Sequence, residues 1–236
     1  MELLERARER SWYHVLELPD GTTTPGWFDL RPYVHHYGLP EDMSGMRALE
    51  VGTWDGFWAF EMERRGADVV AIDLDEESRL DFPPRRRPAT FSTERRGDGF
   101  RLAKEILGSN VERVNMSVYD ATPEELGTFD LVFCGTVLLH LRDQLLALER
   151  IAGVCSGTFI TAEEYDKLAS MLPIAVSRYR ADRDKDVVFW LPSIRTWRAM
   201  LWTAGFERVE QHTKFVMTTA DGKLKVPHVV HHAHKT

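Results

Sequence analysis

Cysteine, long apolar runs and positive charge are all scarce in this sequence. Only two cysteines occur in 236 residues, which is too few for a disulfide framework. We therefore expect Cys134 and Cys155 to stay reduced in a cytoplasmic protein. No apolar stretch approaches the length of a membrane-spanning helix, and no apolar segment follows a basic stretch near residue 1. Neither membrane association nor a secretory signal is expected.

The charge balance argues against nucleic-acid binding. The formal net charge is -7, whereas RNA-binding surfaces carry a basic excess or a concentrated basic stripe. One basic run exists, residues 85–87 with Arg95 and Arg96 nearby, in a proline-rich stretch. It could contact phosphates or an anionic substrate, but charge runs flanked by prolines rarely form binding faces. We interpret it as a solvated surface insertion, and we expect a small-molecule partner.

The most informative segment is residues 48–75, which read ALEVGTWDGFWAFEMERRGADVVAIDLD. An apolar strand stops at Gly52, Asp55 follows where a helix N-cap is expected, and Gly66 closes the helix. A second apolar strand ends at Asp73, at the sheet edge where open α/β folds bind ligands. This strand–helix–strand unit predicts a nucleoside site in which the Asp73 carboxylate accepts hydrogen bonds from both ribose hydroxyls.

Two aromatic residues distinguish this turn from a dinucleotide site. The dinucleotide fingerprint needs glycine at the positions of Trp54 and Phe57, so that the backbone can approach a pyrophosphate. Rings at those positions favour a ligand with a ribose but no diphosphate, such as S-adenosylmethionine. Gly52 and Gly56 would make room for its methionine end, and Glu50 would attract its ammonium. A tight turn in a ligand-free α/β protein is the alternative.

Polar or small residues recur at the ends of the next strands. Tyr119 and Asp120 follow a third predicted strand, residues 113–118. Asp120 would accept from the adenine amino group or else begin a turn. A fourth strand, residues 129–134, ends at Gly135. The predicted cofactor contacts are Glu50, Gly52, Thr53, Asp55, Gly56, Asp73, Leu74, Tyr119, Asp120, Cys134 and Gly135.

Together these segments resemble the class I S-adenosylmethionine-dependent methyltransferases. The resemblance lies in the glycine motif EVGTWDG, the acidic strand VVAIDLD, the segment SVYDA and the fourth strand FDLVFCGTVLLHL, and it covers nearly all of the chain from residue 45 onward. It implies an α/β, Rossmann-like fold: a seven-stranded, mostly parallel sheet with helices on both faces and an antiparallel last strand. It also implies S-adenosylmethionine as the cofactor and methyl transfer as the reaction.

Within that class, three further segments resemble the branch of the tRNA wobble-uridine carboxymethyltransferases and their shorter bacterial relatives. They are GTWDGFWAFEMERRGADVVAID, VFWLPSIRTWRAMLWTAGF and VPHVVHHA. The chain departs from those enzymes because it has only about 45 residues before the core, and because His228 takes the place of an arginine that grips carboxy-S-adenosylmethionine. A neutral imidazole holds a carboxylate far less reliably than a guanidinium does. Plain S-adenosylmethionine is therefore the expectation.

The length and the 43% hydrophobic content predict one sizeable domain with appendages. We assign residues 45–236 to the methyltransferase domain. Within it, a lid insertion is predicted at about residues 165–189, as a helix leading into a charged loop.

Aromatic residues crowd the segment before the core. Residues 1–44 are predicted to form a lid over the acceptor, in which Tyr13, His14 and Trp27 face the pocket and stack on a planar molecule. The alternative is that these rings pack against the flank of the sheet. His228 is the fourth predicted substrate contact.

His140 and Glu163 are the predicted catalytic residues, because each follows a strand that ends near the ligand edge. Methyl transfer is an in-line displacement, for which orientation supplies most of the acceleration. A base is needed only if the acceptor must lose a proton. His140 is the first choice, since an unperturbed imidazole titrates near pH 6.5. The resemblance also allows a histidine there that is not catalytic.

Four histidines near the end of the chain invite a metal interpretation. A strand over residues 226–234 would place His228, His232 and His234 on one face and His231 on the other. That arrangement spreads the imidazoles over a length poorly suited to one tetrahedral ion. No metal site is predicted.

Three functional hypotheses follow from the sequence. The leading one is an S-adenosylmethionine-dependent methyltransferase acting on a small planar or hydroxylated metabolite, at oxygen in preference to nitrogen. The second is a tRNA wobble-uridine-modifying methyltransferase, which would bind tRNA in a salt-sensitive way. The third is a non-methylating S-adenosylmethionine-binding protein, which would release no S-adenosylhomocysteine.

Overall fold

A computed structural model describes residues 2–180 and 188–235 of the chain. The helices are α1 (Glu2–Glu9), α2 (Phe57–Arg64), α3 (Asp98–Leu107), α4 (Pro123–Leu126), α5 (Gln144–Val154) and α6 (Ile194–Thr203). The strands are β1 (Trp12–His14), β2 (Gly26–Phe28), β3 (Arg47–Val51), β4 (Asp68–Asp73), β5 (Glu112–Asn115), β6 (Phe129–Gly135), β7 (Cys155–Glu164), β8 (Ser177–Tyr179), β9 (Trp190–Pro192), β10 (Arg208–Thr218) and β11 (Lys225–His234).

Seven strands form one sheet in the order β10-β11-β7-β6-β3-β4-β5. The pairs β3-β4, β4-β5, β3-β6 and β6-β7 are parallel, and β11 is antiparallel to both of its neighbours. The seven-stranded, mostly parallel sheet with an antiparallel last strand is confirmed. The chain runs from β3 to β4 on one side and returns to β6 on the other, so a crevice opens at their carboxyl ends.

Helices cover both faces of the sheet, because successive side chains of each central strand point to opposite sides. On one face, Ala59 and Met62 of α2 and Phe100 of α3 pack against the sheet. On the other, the core contains Leu148 of α5 and Trp197 of α6. Rings of the N-terminal segment also join the first core, namely Trp12, Phe28 and Tyr37. None of the helices in the described ranges is long and apolar enough to cross a lipid bilayer.

Element boundaries differ from the sequence expectations where a side chain caps a turn. β5 ends at Asn115, and the hydroxyl of Ser117 caps a 3₁₀ turn, Val118–Asp120, that replaces the end of the predicted third strand. The Asp143 carboxylate caps α5 by accepting from Leu146 N at 2.9 Å, so this helix begins at Gln144. The Ser193 hydroxyl caps α6 by accepting from Thr196 N at 3.2 Å.

The helix predicted in the insertion after β7 is wrong. The described residues there form a 3₁₀ turn, Ala169–Met171, and the hairpin of β8 and β9. Pro173 follows at once, and proline lacks the N–H that a helix interior needs. The predicted charged loop falls mainly on residues 181–187, which lie outside the described residues.

Candidate active site

A cavity of about 750 Å³ opens at the carboxyl ends of β3, β4 and β6. Its volume is within the range of small-molecule and cofactor sites. The structure brings these sequence-predicted residues to its wall: Tyr13, His14, Glu50, Gly52, Asp73, Leu74, Tyr119, Gly135 and His140. Eight other predicted contacts are not on the wall: Trp27, Thr53, Asp55, Gly56, Asp120, Cys134, Glu163 and His228.

Asp73 ends β4 with its carboxylate at the cavity. Its Oδ2 accepts from Trp54 N at 2.8 Å, and its Oδ1 accepts from Leu74 N at 2.7 Å. A carboxylate oxygen accepts two hydrogen bonds, so each oxygen keeps one position for a ligand hydroxyl. The two amides fix the carboxylate orientation without occupying it fully.

Glu50 brings a second carboxyl group to the cavity from β3. Its Oε2 accepts from Thr53 Oγ1 at 2.6 Å and from Ala59 N at 2.9 Å. Burial raises the pKa of Glu50 to about 8, so this group carries its proton near pH 7 unless a cation approaches. Thr53 is not on the wall itself, but its hydroxyl holds the Glu50 carboxyl group, which is.

The two glycines of the turn are required by space and by backbone conformation. Gly52 has φ 79°, and a Cβ there would lie 2.4 Å from Val137 Cγ2. Gly56 has φ 93°, and a Cβ there would lie 2.5 Å from the Phe60 ring. Positive φ is costly for residues with a Cβ. Gly56 thus serves helix packing and is set back from the cavity.

Asp55 is not the N-cap of α2, contrary to the prediction. Gly56 occupies that position, and the helix has no side-chain cap. The Asp55 carboxylate instead accepts from Tyr13 N at 2.6 Å and from His14 N at 3.1 Å. Burial raises the pKa of Asp55 to about 6. This residue ties the N-terminal segment to the glycine turn.

Trp54 is the centre of a stack on the cavity wall that the sequence did not reveal. Its ring stacks on Tyr13 with centroids 4.7 Å apart, and the Arg96 guanidinium lies 3.8 Å from its ring centroid. Trp54 has φ 46°, and Asp73 fixes its backbone as described above. Stacking of a guanidinium on an indole is favourable and keeps the arginine at the wall.

The proline-rich stretch after β4 contributes to the cavity wall, so its interpretation as a solvated surface insertion is wrong for Arg96, whereas Arg85 and Arg95 are exposed. Residues 78–82, Arg87 and Arg96 line the wall. Asp81 accepts from Tyr119 Oη at 2.9 Å and from Arg142 N at 2.7 Å, which fastens the stretch to two other wall segments. The proline-rich stretch directly follows the acidic end of β4, and this position in the sequence could have indicated that it lies at the ligand edge of the sheet.

Tyr119 and Asp120 separate in the 3₁₀ turn that follows β5. Tyr119 lines the cavity, and burial raises the pKa of its phenol. Asp120 is exposed and off the wall, which matches the turn alternative better than an adenine contact.

Of the three aromatic residues predicted to face the pocket, Tyr13 and His14 do so and Trp27 does not. The Trp27 side chain is 53% exposed and packs edge-on to Tyr13 at 6.1 Å. His14 is buried, its Nδ1 has no hydrogen-bond partner within residues 2–180 and 188–235, and burial lowers its pKa to about 3. Burial raises the pKa of the phenol of Tyr37, whose ring also lies on the wall. The His14 imidazole and the Tyr37 phenol are therefore both neutral.

The two predicted catalytic residues have different surroundings. His140 lies on the wall in a 3₁₀ turn, Leu138–His140, that follows β6. Glu163 faces the backbone behind that turn, where its Oε1 accepts from Val137 N at 3.2 Å and from Leu138 N at 3.3 Å. The prediction that Glu163 stands beside the transferred methyl group does not agree with this position. Cys134 Sγ lies 4.0 Å from the same oxygen, buried below the wall.

His228 is buried behind the cavity, not in it. Its Nε2 lies 3.0 Å from Thr136 Oγ1 and its Nδ1 lies 3.0 Å from Val226 O. Burial lowers the pKa of His228 to about 4. The described part of the chain holds no group of three or more His, Cys, Asp or Glu side chains able to bind a metal ion.

A family model for a Methyltransferase domain matches residues 29–211, which include β3, β4 and β6, the strands at whose carboxyl ends the cavity opens. The chain belongs to the methyltransferase family. That match covers more than half of the sequence.

Curated relatives match part of the length of this chain. Magnesium-protoporphyrin O-methyltransferase of Rhodobacter capsulatus is 32% identical over 104 residues, which is 44% of this chain and 38% of that protein. Ubiquinone biosynthesis O-methyltransferase of Acinetobacter baylyi is 29% identical over 101 residues, 43% of this chain and 35% of that protein. The chain thus spans less than two fifths of the length of these relatives.

Solved structures share the fold of this chain at low identity. The N-terminal domain of EvdMO1 with SAH bound has a TM-score of 0.65 at 19% identity, over 100% of this chain and 96% of that chain. Magnesium protoporphyrin IX methyltransferase (ChlM) from Synechocystis with bound SAM has a TM-score of 0.54 at 15% identity, over 82% of this chain and 72% of that chain.

Proposed function

We propose that this chain transfers a methyl group from S-adenosylmethionine to an oxygen atom of a small molecule. The observation that carries the proposal is the Asp73 carboxylate, which is held by two amides and keeps a position on each oxygen for a ribose hydroxyl. Family membership supports methyl transfer, and the structures solved with SAM or SAH support this cofactor.

The residues of the cavity fit such a cofactor. The Trp54 ring stands where a dinucleotide site needs glycine, so a nucleoside without a diphosphate is favoured. Glu50 lies on the same wall, and an ammonium beside it would lower its pKa and give an ion pair. Tyr119, held by Asp81, lies on the wall beyond Asp73 and would meet the base.

Bound S-adenosylmethionine supplies a methyl group that its sulfonium already activates. The chain then has to orient the acceptor oxygen in line with that group and exclude water. His140 would take the hydroxyl proton as the acceptor oxygen is methylated, and S-adenosylhomocysteine would be the other product. Glu163 does not fit as the base, because backbone amides hold its carboxyl group off the wall.

A small acceptor is favoured over tRNA. The net charge is -7, and three arginines of the proline-rich stretch, Arg79, Arg87 and Arg96, lie on the cavity wall. The relatives named above are O-methyltransferases of magnesium-protoporphyrin and of ubiquinone biosynthesis, which supports transfer to oxygen. The wobble-uridine branch and a non-methylating binding protein are the competing hypotheses. A cytoplasmic location follows from the reduced cysteines in this proposal.

Calorimetric titration with S-adenosylhomocysteine tests the proposal. Asp73→Ala should weaken binding at least about tenfold, since hydrogen bonds to a charged group are worth about 1.5–3 kcal/mol. Asp68→Ala is the matched control, because Asp68 is exposed at the opposite end of the same strand. Equal affinity of the two variants contradicts the assignment. Incubation with acceptor pools should then release S-adenosylhomocysteine with a mass gain of one methyl, and no release favours the binding protein.

A further inference from the structure

Apart from the buried carboxyl group of Glu50, the acidic and basic side chains on the cavity wall come from two parts of the chain. Asp73 ends β4, Arg79, Asp81, Arg87 and Arg96 follow it, and Arg142 follows β6. Six other wall residues come from the N-terminal segment, α2 and β10. We call this set the aromatic half: it consists of His14, Phe28, Leu30, Tyr37, Trp58 and Met217.

The aromatic half is one packed surface. Five of its residues, all except His14, belong to the same core cluster, and the Tyr37 and Trp58 rings lie 4.2 Å apart. Rings of this kind bind planar molecules through stacking and burial of apolar area. None of the six side chains carries a charge, because burial keeps His14 and Tyr37 neutral.

His14 supplies the polar group of this half in a fixed position. Asp55 holds its backbone N–H, and the ring packs edge-on to Tyr13 with centroids 4.8 Å apart. No side-chain hydrogen bond of His14 occurs within the described residues, and its Nδ1 is buried without a partner. A ligand oxygen that reached a nitrogen of this imidazole would supply the hydrogen bond that the described residues do not.

We propose that the acceptor is an uncharged, planar, hydroxylated molecule that occupies the aromatic half, with one of its oxygens hydrogen-bonded to the His14 imidazole. This inference rests on the proposed function and names its substrate class. None of the six residues of the aromatic half supplies a cation, so a carboxylate enclosed by them would be buried without an ion-pair partner from this set, which is costly. His14 is thus a positioning residue, and proton removal stays with His140.

Matched probes test the charge preference on the full chain saturated with S-adenosylhomocysteine. The uncharged probe is 2-naphthol, and 6-hydroxy-2-naphthoate adds one carboxylate to the same bicycle. We expect 2-naphthol to bind at least roughly tenfold more tightly by calorimetry. Tighter or equal binding of the carboxylate, or no binding of 2-naphthol, overturns the proposal. The preceding titration with S-adenosylhomocysteine tests the proposed function separately, so the two failures are distinguishable.

Variants test the role of the imidazole. His14→Phe keeps a neutral ring and should lower 2-naphthol affinity roughly threefold to tenfold, which is the value of one neutral hydrogen bond. Naphthalene, which lacks the hydroxyl, should bind the variant and the parent protein equally, as should S-adenosylhomocysteine. The control is His35→Phe, since His35 is exposed and off the wall. Equal losses for naphthalene and 2-naphthol show that His14 only packs, and they overturn its assignment.

Discussion

The folded protein should become less stable as the pH rises, because the buried carboxyl group of Glu163 ionises. The Glu163→Gln variant should not show this loss of stability. The Glu163 side chain is 1% exposed, and its Oε2 has no hydrogen-bond partner in the part of the chain that the structure describes. Only Oε1 is held, by Val137 N and Leu138 N. Burial without a compensating cation raises the pKa of Glu163 to about 8.

The direction of the effect follows from proton binding in the two states. In the unfolded chain this carboxyl has a pKa near its ordinary value of 4.5, whereas the folded chain retains the proton up to about pH 8. The contribution of Glu163 to the free energy of unfolding is therefore fully present below pH 4.5 and is lost as the pH rises toward 8. Between about pH 5.5 and pH 8 the loss amounts to about 3 kcal/mol.

Urea unfolding at those two pH values measures the effect. Glutamine cannot ionise and keeps an oxygen for the two amides. Between the two pH values, the free energy of unfolding of Glu163→Gln should therefore fall by about 3 kcal/mol less than that of the parent protein. Glu149→Gln is the control, because Glu149 is exposed on α5. All other titrating groups are present in each protein and cancel in the comparison. An identical pH dependence in the parent and in Glu163→Gln would refute the reasoning.

Two other predictions concern ligand binding and turnover. Because an ammonium beside Glu50 favours its ionised form, cofactor binding near pH 7 should release up to about one proton. Calorimetry in buffers of different ionisation enthalpy should show this release in the parent and not in Glu50→Gln, and equal proton counts would contradict it. His140→Gln should slow methyl transfer roughly 10²- to 10⁴-fold in single-turnover assays, with the S-adenosylhomocysteine affinity unchanged. An unchanged rate would mean that another group removes the proton.

Local sequence patterns were sufficient for the elements that hold the cofactor side of the site. The apolar run before Gly52 and the one that ends at Asp73 each define a buried strand, and their glycine turn lies where it was predicted. The Ser193 cap could also be recognised, because its hydrogen bond to Thr196 N is only three residues long. Patterns of this kind depend on neighbours in sequence, so they are visible without the fold.

The proline-rich stretch was misjudged because its partners are distant in sequence. Its composition is that of a solvated loop, but Asp75 at its start pairs with Arg95, Arg101 and Arg113, and its Asp81 pairs with Arg142. These ion pairs join residues up to 61 positions apart. They hold the carboxylates of Asp75 and Asp81 in place, and Asp81 thereby keeps its part of the stretch at the cavity wall.

Side-chain direction was the other missing information. Asp55 lies one residue before the N-cap of α2 and Glu163 lies near the end of β7, both close to their predicted positions, yet each carboxyl group accepts from backbone amides and is off the cavity wall. A carboxylate at a strand end has several possible donors within reach, and the sequence cannot rank them. Burial decided the outcome here, since amide N–H groups that are buried must find an acceptor.

The glycine turn between β3 and α2 connects the two proposed ligand sites. Trp54 N donates to Asp73 on the cofactor side, and Asp55 in the same turn accepts from Tyr13 N and His14 N on the acceptor side. A displacement of this turn therefore changes both sites together, because hydrogen bonds of 2.6–3.1 Å leave little freedom between them. Cofactor binding that orders the turn therefore also raises the affinity for the acceptor. By thermodynamic linkage, acceptor binding raises the affinity for the cofactor by the same factor. Tight binding of the proposed uncharged acceptor accordingly depends on a cofactor already seated against Asp73.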